Sequence, residues 1–169
     1  MTSIDALERA DSGTAADVET GADPSFPRDA GQAVVPGFAI MALCSLLIET
    51  LQAFREGPTG GGRDLFKPFL RLPAFGSAFE NDVVANAFVG GIRNGIFHEA
   101  ETRKWAIRRT EPMGKLVERR GDGYVLNRTA FCVALKIEFE GYLAELRDAS
   151  KGDRRRRFLE KMDGIVKKC

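Results

Sequence analysis

The sequence predicts a mainly α-helical chain, an up-and-down helical bundle with a small β-like hairpin insert. Three observations carry that expectation. Apolar residues recur at three-to-four spacing over two long stretches, 36–56 and 128–148. A third helical stretch, from Ala78 to about Ala100, opens on the capping box Ser77-Ala78-Phe79-Glu80. Short β-like runs occur in one place, between Trp105 and Leu126, around the turn signal Arg120-Gly121-Asp122-Gly123. With 169 residues the chain is long enough for one domain with a sizeable core and too short to expect two.

Residues 1–30 are rich in Ala, Asp, Ser, Thr and Gly and read as a flexible acidic tail, in which Ile4, Leu7 and Ala10 form at most one amphipathic turn. Residues 31–169 are the helical domain. Pro36 suits a helix start, and Ile40, Leu43, Leu47, Thr50, Leu51 and Phe54 predict the buried face of the first helix. Gly57-Pro58 ends it, and Thr59-Gly60-Gly61-Gly62 reads as a loop. That loop lacks the Gly-Lys-Ser/Thr ending of a phosphate-binding loop and follows a helix instead of a strand.

Residues 64–72 read as a short, Pro-interrupted helical lid. Phe66, Phe69, Phe75, Phe79 and Phe88 are expected in packing ahead of base stacking. The helix from Ala78 contains Gly90, Gly91 and Gly95, each costing roughly 1 kcal/mol against Ala. Such a helix needs close backbone approach, to another helix or to a second copy of itself. Trp105-Ala106-Ile107, Leu116-Val117 and Tyr124-Val125-Leu126 predict a hairpin or irregular insert. Asn127 caps the next helix, whose stripe is Phe131, Leu135, Phe139, Tyr142 and Leu146. Asp153 is the expected cap of a last helix, 154–167. Arg154 to Arg157 stand at its N-terminus, the wrong end for the helix dipole, so they contact phosphate or form a solvated surface.

The net charge is +1, but residues 1–30 hold seven acids against two bases, so the remainder carries +6. A basic body behind an acidic tail is compatible with a polyanionic partner, and the tail is a candidate cover for a basic cleft. Cys44 and Cys132 lie in apolar helical patterns and Cys169 ends the sequence, which reads as free thiols in a reducing cytoplasm. The first thirty residues have no apolar core of a signal peptide. The run Phe38 to Ile48 is too short to span a bilayer and ends in Glu49, so no membrane is expected. One histidine and no clustered cysteines argue for no metal site and no cofactor.

The stretch with chemistry in it is Arg93-Asn94-Gly95-Ile96-Phe97-His98, which holds the sole histidine. Histidine titrates near neutrality and can serve as general base or acid. Arginine is a permanent cation matched to phosphate. On an ideal α-helix Arg93 and His98 stand about 140° apart, whereas Asn94 and His98 share a stripe. Asn94 is then placed to orient the imidazole while Arg93 approaches from the flank. Glu49 is expected to be a satisfied acid with an arginine partner, or else an accessory site residue. Glu99 and Arg103 are further accessory candidates.

Arg93-Asn94-x-x-x-His98 resembles the R-polar-x3-His form of the Rx4–6H motif of HEPN domains. The wider run from Ile92 to Thr102 is similar to a bacterial branch with RNG/RCG-x-x-H-x-AET. Glu99 departs from the Gln expected in that branch, and a carboxylate there either raises the pKa of His98 or repels phosphate. The resemblance covers roughly residues 36–148. Its expected first helix has no clear counterpart in residues 1–30, and residues 154–167 are the candidate substitute. It implies a homodimer with the motif at the interface. It also implies metal-independent cleavage of RNA that leaves a 2′,3′-cyclic phosphate, with His98 as base or acid and Arg93 stabilising charge. The roles it opens are a toxin or antiviral-defence effector, with an antitoxin or regulatory partner. The alternatives are a non-catalytic HEPN module binding RNA, a nucleotide or a protein, and a plain helical oligomerisation domain in which Arg93 and His98 hold the interface.

Overall fold

The computed structural model describes residues 37–57 and 65–168. The acidic tail, Pro36, the loop 59–62 and Cys169 lie outside the described residues. The described chain is mainly helical with a small three-stranded sheet.

Helix α1 runs Gly37–Glu56. Its buried face is Met41, Cys44, Ser45, Ile48, Leu51, Gln52 and Arg55, so of the stripe the spacing predicts only Leu51 is buried, with Ile40 and Phe54 packed against the core. Leu43 and Leu47 are exposed, and Leu46 with them. The helix is apolar nearly all round, so periodicity leaves its phase open. Two of its buried polar side chains find partners, Gln52 in Glu56 and Arg55 in Glu138. Arg55 Nη2 donates to the Glu138 backbone carbonyl at 3.2 Å and to its carboxylate at 3.4 Å. The Arg55 guanidinium also lies over the rings of Phe69 and Tyr142. Because α1 continues through Glu49, its 20 residues reach the length of a bilayer span, longer than the run to Ile48 implies.

Helix α2, Phe66–Leu70, and a 3₁₀ helix, Pro73–Phe79, supply core and no lid. Phe66, Phe69, Phe75, Phe79, Phe88 and Phe131 are each at most 2% exposed. All of these rings but Phe66 meet in tilted, stacked and edge-on pairs, among them Phe79–Phe88 at 5.2 Å and Phe88–Phe131 at 5.3 Å. Each buried Phe contributes roughly 1.5–3 kcal/mol of transfer free energy, so this cluster is the main stabilising feature.

The capping box is not the helix start. Gly76 adopts φ 54°, ψ −144° and kinks the chain. Helix α3, Asp82–Phe88, begins instead at Asn81, whose side chain accepts from the Val83 N–H at 2.7 Å. At Val89 the helix continues but widens into a π segment, Val89–Glu99.

Strands β1 (Trp105–Arg108), β2 (Val117–Arg120) and β3 (Gly123–Asn127) form a sheet in the order β1-β3-β2. The expected hairpin is β2–β3, closing through Gly121-Asp122 with Gly121 at φ 57°. Strand β1, over the expected run Trp105-Ala106-Ile107, pairs parallel to β3, with Trp105 opposite Tyr124 and their rings stacked at 4.7 Å.

Helix α4, Arg128–Arg147, starts where the sequence indicates: Asn127 Oδ1 accepts from the Ala130 N–H at 3.0 Å. Phe131, Leu135 and Tyr142 are buried, while Phe139 is exposed. Helix α5, Gly152–Val166, has Lys151 at its N-cap, and Asp153 sits in the first turn instead of capping it. Arg154 and Arg157 both donate to the Arg55 carbonyl, and Arg155 donates to the carbonyls of Asp148 and Ala149. Arg156 pairs with Asp153. The arginine run stands at the wrong end of its own helix because it serves the C-terminal ends of α1 and α4, where unpaired carbonyls favour cations.

Candidate functional site

The motif lies wholly in the π segment. A π-helix closes each turn with an i+5 to i hydrogen bond, so residues five apart stand about one turn apart. Arg93 and His98 therefore come closer to a common side than the α-helical angle allows, and the flank geometry expected from the sequence is replaced.

The glycines explain how the segment is held. A Cβ on Gly95 would stand 2.4 Å from the Glu101 carbonyl oxygen. One on Gly91 would stand 2.5 Å from Trp105 Cδ1. Gly90 has nothing nearer than 4.0 Å. The close approach at Gly91 and Gly95 is thus made by the returning loop of the same chain. Ala100 turns that loop in the left-handed conformation, and the Ala100 and Glu101 N–H groups both donate to the Gly95 carbonyl. Thr102 Oγ1 donates to the Trp105 carbonyl at 2.7 Å. The Trp105 indole N–H donates to the Ala87 carbonyl at 3.0 Å. The Ala100-Glu101-Thr102 end of the motif is therefore a clip that fastens the widened turn.

Arg93 is held from two sides. Its Nε and Nη2 both engage Glu49 Oε1 on α1, at 2.9 and 2.8 Å. Its Nη1 donates to Asn94 Oδ1 at 3.0 Å. The guanidinium also lies 5.8 Å from the centroid of the exposed Phe97 ring. Asn94 thus orients Arg93, where the sequence reading has it orient His98. Glu49 has the arginine partner that a carboxylate in an apolar helix needs. Both members of this pair remain partly exposed, at 29% and 27%.

His98 is exposed at the C-terminal end of the π segment, where a cation is favoured. Glu99 stands beside it in the chain. Arg103 donates to both of its carboxylate oxygens and holds that carboxyl below the usual range, with small contributions from Glu101 and His98. Arg103, φ 50°, is one of two non-glycine residues with positive φ among the described residues. The motif surface thus presents two ion pairs, Arg93–Glu49 and Arg103–Glu99, with the exposed imidazole near the second.

A concavity of about 670 Å³ opens elsewhere, lined by Ser77, Asn81, Lys115, Arg119 and Tyr124 among others, and by none of the motif residues. Sequence reasoning does not find it, because its walls come from the 3₁₀ helix, α3 and the sheet, with no shared motif. Among the described residues no three His, Cys, Asp or Glu side chains are grouped as metal ligands would be. Compared with family models, with curated proteins and with solved structures, the chain matches none.

Proposed function

We propose that the chain is a metal-independent endoribonuclease of HEPN type that acts as a homodimer, its helices forming a bundle of the HEPN kind. The observation that carries this reading is the π segment, which brings Arg93 and His98, five residues apart, towards one side of a helix at the protein surface. RNA cleavage without metal needs a base for the 2′-OH, a cation for the developing phosphoryl charge, and an acid for the leaving 5′-oxygen. His98 supplies base or acid, Arg93 the cation, and Asn94 fixes the guanidinium. Two copies meeting across a two-fold axis would place two of each in one cleft. The exposed Phe97, Leu43 and Leu46 support such a meeting, since they leave apolar area near the motif uncovered in one chain.

A specific observation favours a second reading, a non-catalytic module. Glu49 already takes two nitrogens of Arg93, so an incoming phosphate must compete with a carboxylate.

One experiment separates them: cleavage of a mixed RNA pool in EDTA by wild type and His98→Ala, with end-group analysis. The expected result is cyclic phosphate ends from wild type and a loss of at least 100-fold in the mutant, the usual weight of general acid–base catalysis. RNA bound but uncleaved by a folded, dimeric wild type would establish the module and end the enzyme reading.

A further inference from the structure

Cys44 on α1 and Cys132 on α4 are 88 positions apart in the chain, yet their Sγ atoms lie 3.8 Å apart at the seam between the two helices. Both are free thiols. A disulfide needs about 2.05 Å, a distance that side-chain rotation and a small helix shift can close from here. Their accessibility differs: Cys44 is 8% exposed, whereas Cys132 is partly open to solvent. Their proton sharing differs as well. The Cys44 thiol and the Arg128 guanidinium favour a Cys132 thiolate, bringing that group down to about 7. Cys44 is pushed the other way by the same contact and by burial. The pair thus has an accessible nucleophile and a sheltered thiol within reach of it.

We infer that Cys44 and Cys132 form a reversible redox pair in which Cys132 reacts with hydrogen peroxide and Cys44 resolves the product as an α1–α4 disulfide. The Cys132 thiolate attacks one peroxide oxygen, the O–O bond breaks, and a proton converts the departing oxygen to water. Cys132 is then a sulfenic acid. Cys44 sulfur attacks the Cys132 sulfur, the S–O bond breaks, and the Cys44 proton leaves with the oxygen as a second water. Two thiols are oxidised and one peroxide is reduced. A dithiol reverses the bond by exchange. The pair stands independently of the ribonuclease reading, since neither cysteine belongs to the motif.

The test uses the full chain with Cys169→Ser, which removes the remaining thiol. The protein is exposed to hydrogen peroxide, quenched by alkylation and mapped by mass spectrometry. The expected product is a Cys44–Cys132 cross-linked peptide lighter by two hydrogens, lost on treatment with dithiothreitol. In the added variant Cys44→Ser, dimedone should trap Cys132 as a sulfenic acid that the parent does not accumulate. Sulfinic acid on Cys132 with Cys44 still open to alkylation would overturn the pair. So would two unmodified cysteines under peroxide that oxidises an unfolded control peptide of the same sequence.

Discussion

Gly90, Gly91 and Gly95 look alike in the sequence and have different neighbours in the fold. Only the second and third face another part of the chain at less than contact distance. Gly95→Ala should therefore lower stability by about 1–3 kcal/mol, the usual cost of overpacking. Gly90→Ala, with open space around it, should gain about 0.5–1 kcal/mol from the restricted unfolded chain. Denaturant titration of both variants checks the contrast, and equal effects would mean that the returning loop does not define the segment. This difference is not legible in the sequence, because it depends on where Glu101 and Trp105 return. Asn127 is legible: an amide before a periodic apolar run has one obvious use, and its side chain makes that bond. Cys44 and Cys132 show the limit again. Each reads as a core thiol, and nothing local reports a neighbour 88 positions away.

At the scale of elements, α1 shows why a helix can be found and still be turned wrongly. Its existence follows from length and apolar content, but leucines on the exposed side dilute the signal. What orients it is polar: Arg55 must be buried beside Glu138, and Glu49 must meet Arg93. Arg55 and Glu138 are only 7% and 8% exposed. Glu138→Ala should cost about 3–5 kcal/mol, since it leaves a buried guanidinium without its counter-charge. The same change also removes the acceptor of the Ala74 N–H. The double variant Arg55→Met, Glu138→Gln should recover much of that loss, because no buried charge is left and an acceptor oxygen is kept. Thermal melts of the single and double variants measure it. No recovery would show that the pair orients the helices by more than its charge.

At the scale of the molecule, the mainly helical character and the position of the β insert were legible, because each rests on local pattern. The parallel pairing of β1 was not, since it joins β1 to β3 and passes over β2 in the chain. The outer side of α1 is the largest consequence of this scale. Leu43 is 67% and Leu46 54% exposed, and α1 packs beside the π segment with its exposed Phe97. The proposed homodimer uses this side. Leu46→Glu should then convert the dimer to monomer in sedimentation, with a change in folding stability within about 0.5 kcal/mol, as for an exposed position. A wild type that sediments as a monomer at micromolar concentration would remove the dimer from the proposal.

The wide helical turn between Val89 and Glu99 also bears on how this chain can change over time. In an ordinary surface loop a lost residue shortens a connection and little else. Inside this turn it alters phase. One deletion between Arg93 and His98 removes a residue that the i+5 to i turn needs, while Phe88, which anchors the core ahead of it, stays in place. Selection on this stretch would then act on residue count before residue identity, so substitutions at Ile96 or Phe97 should persist in descendants more readily than a gap.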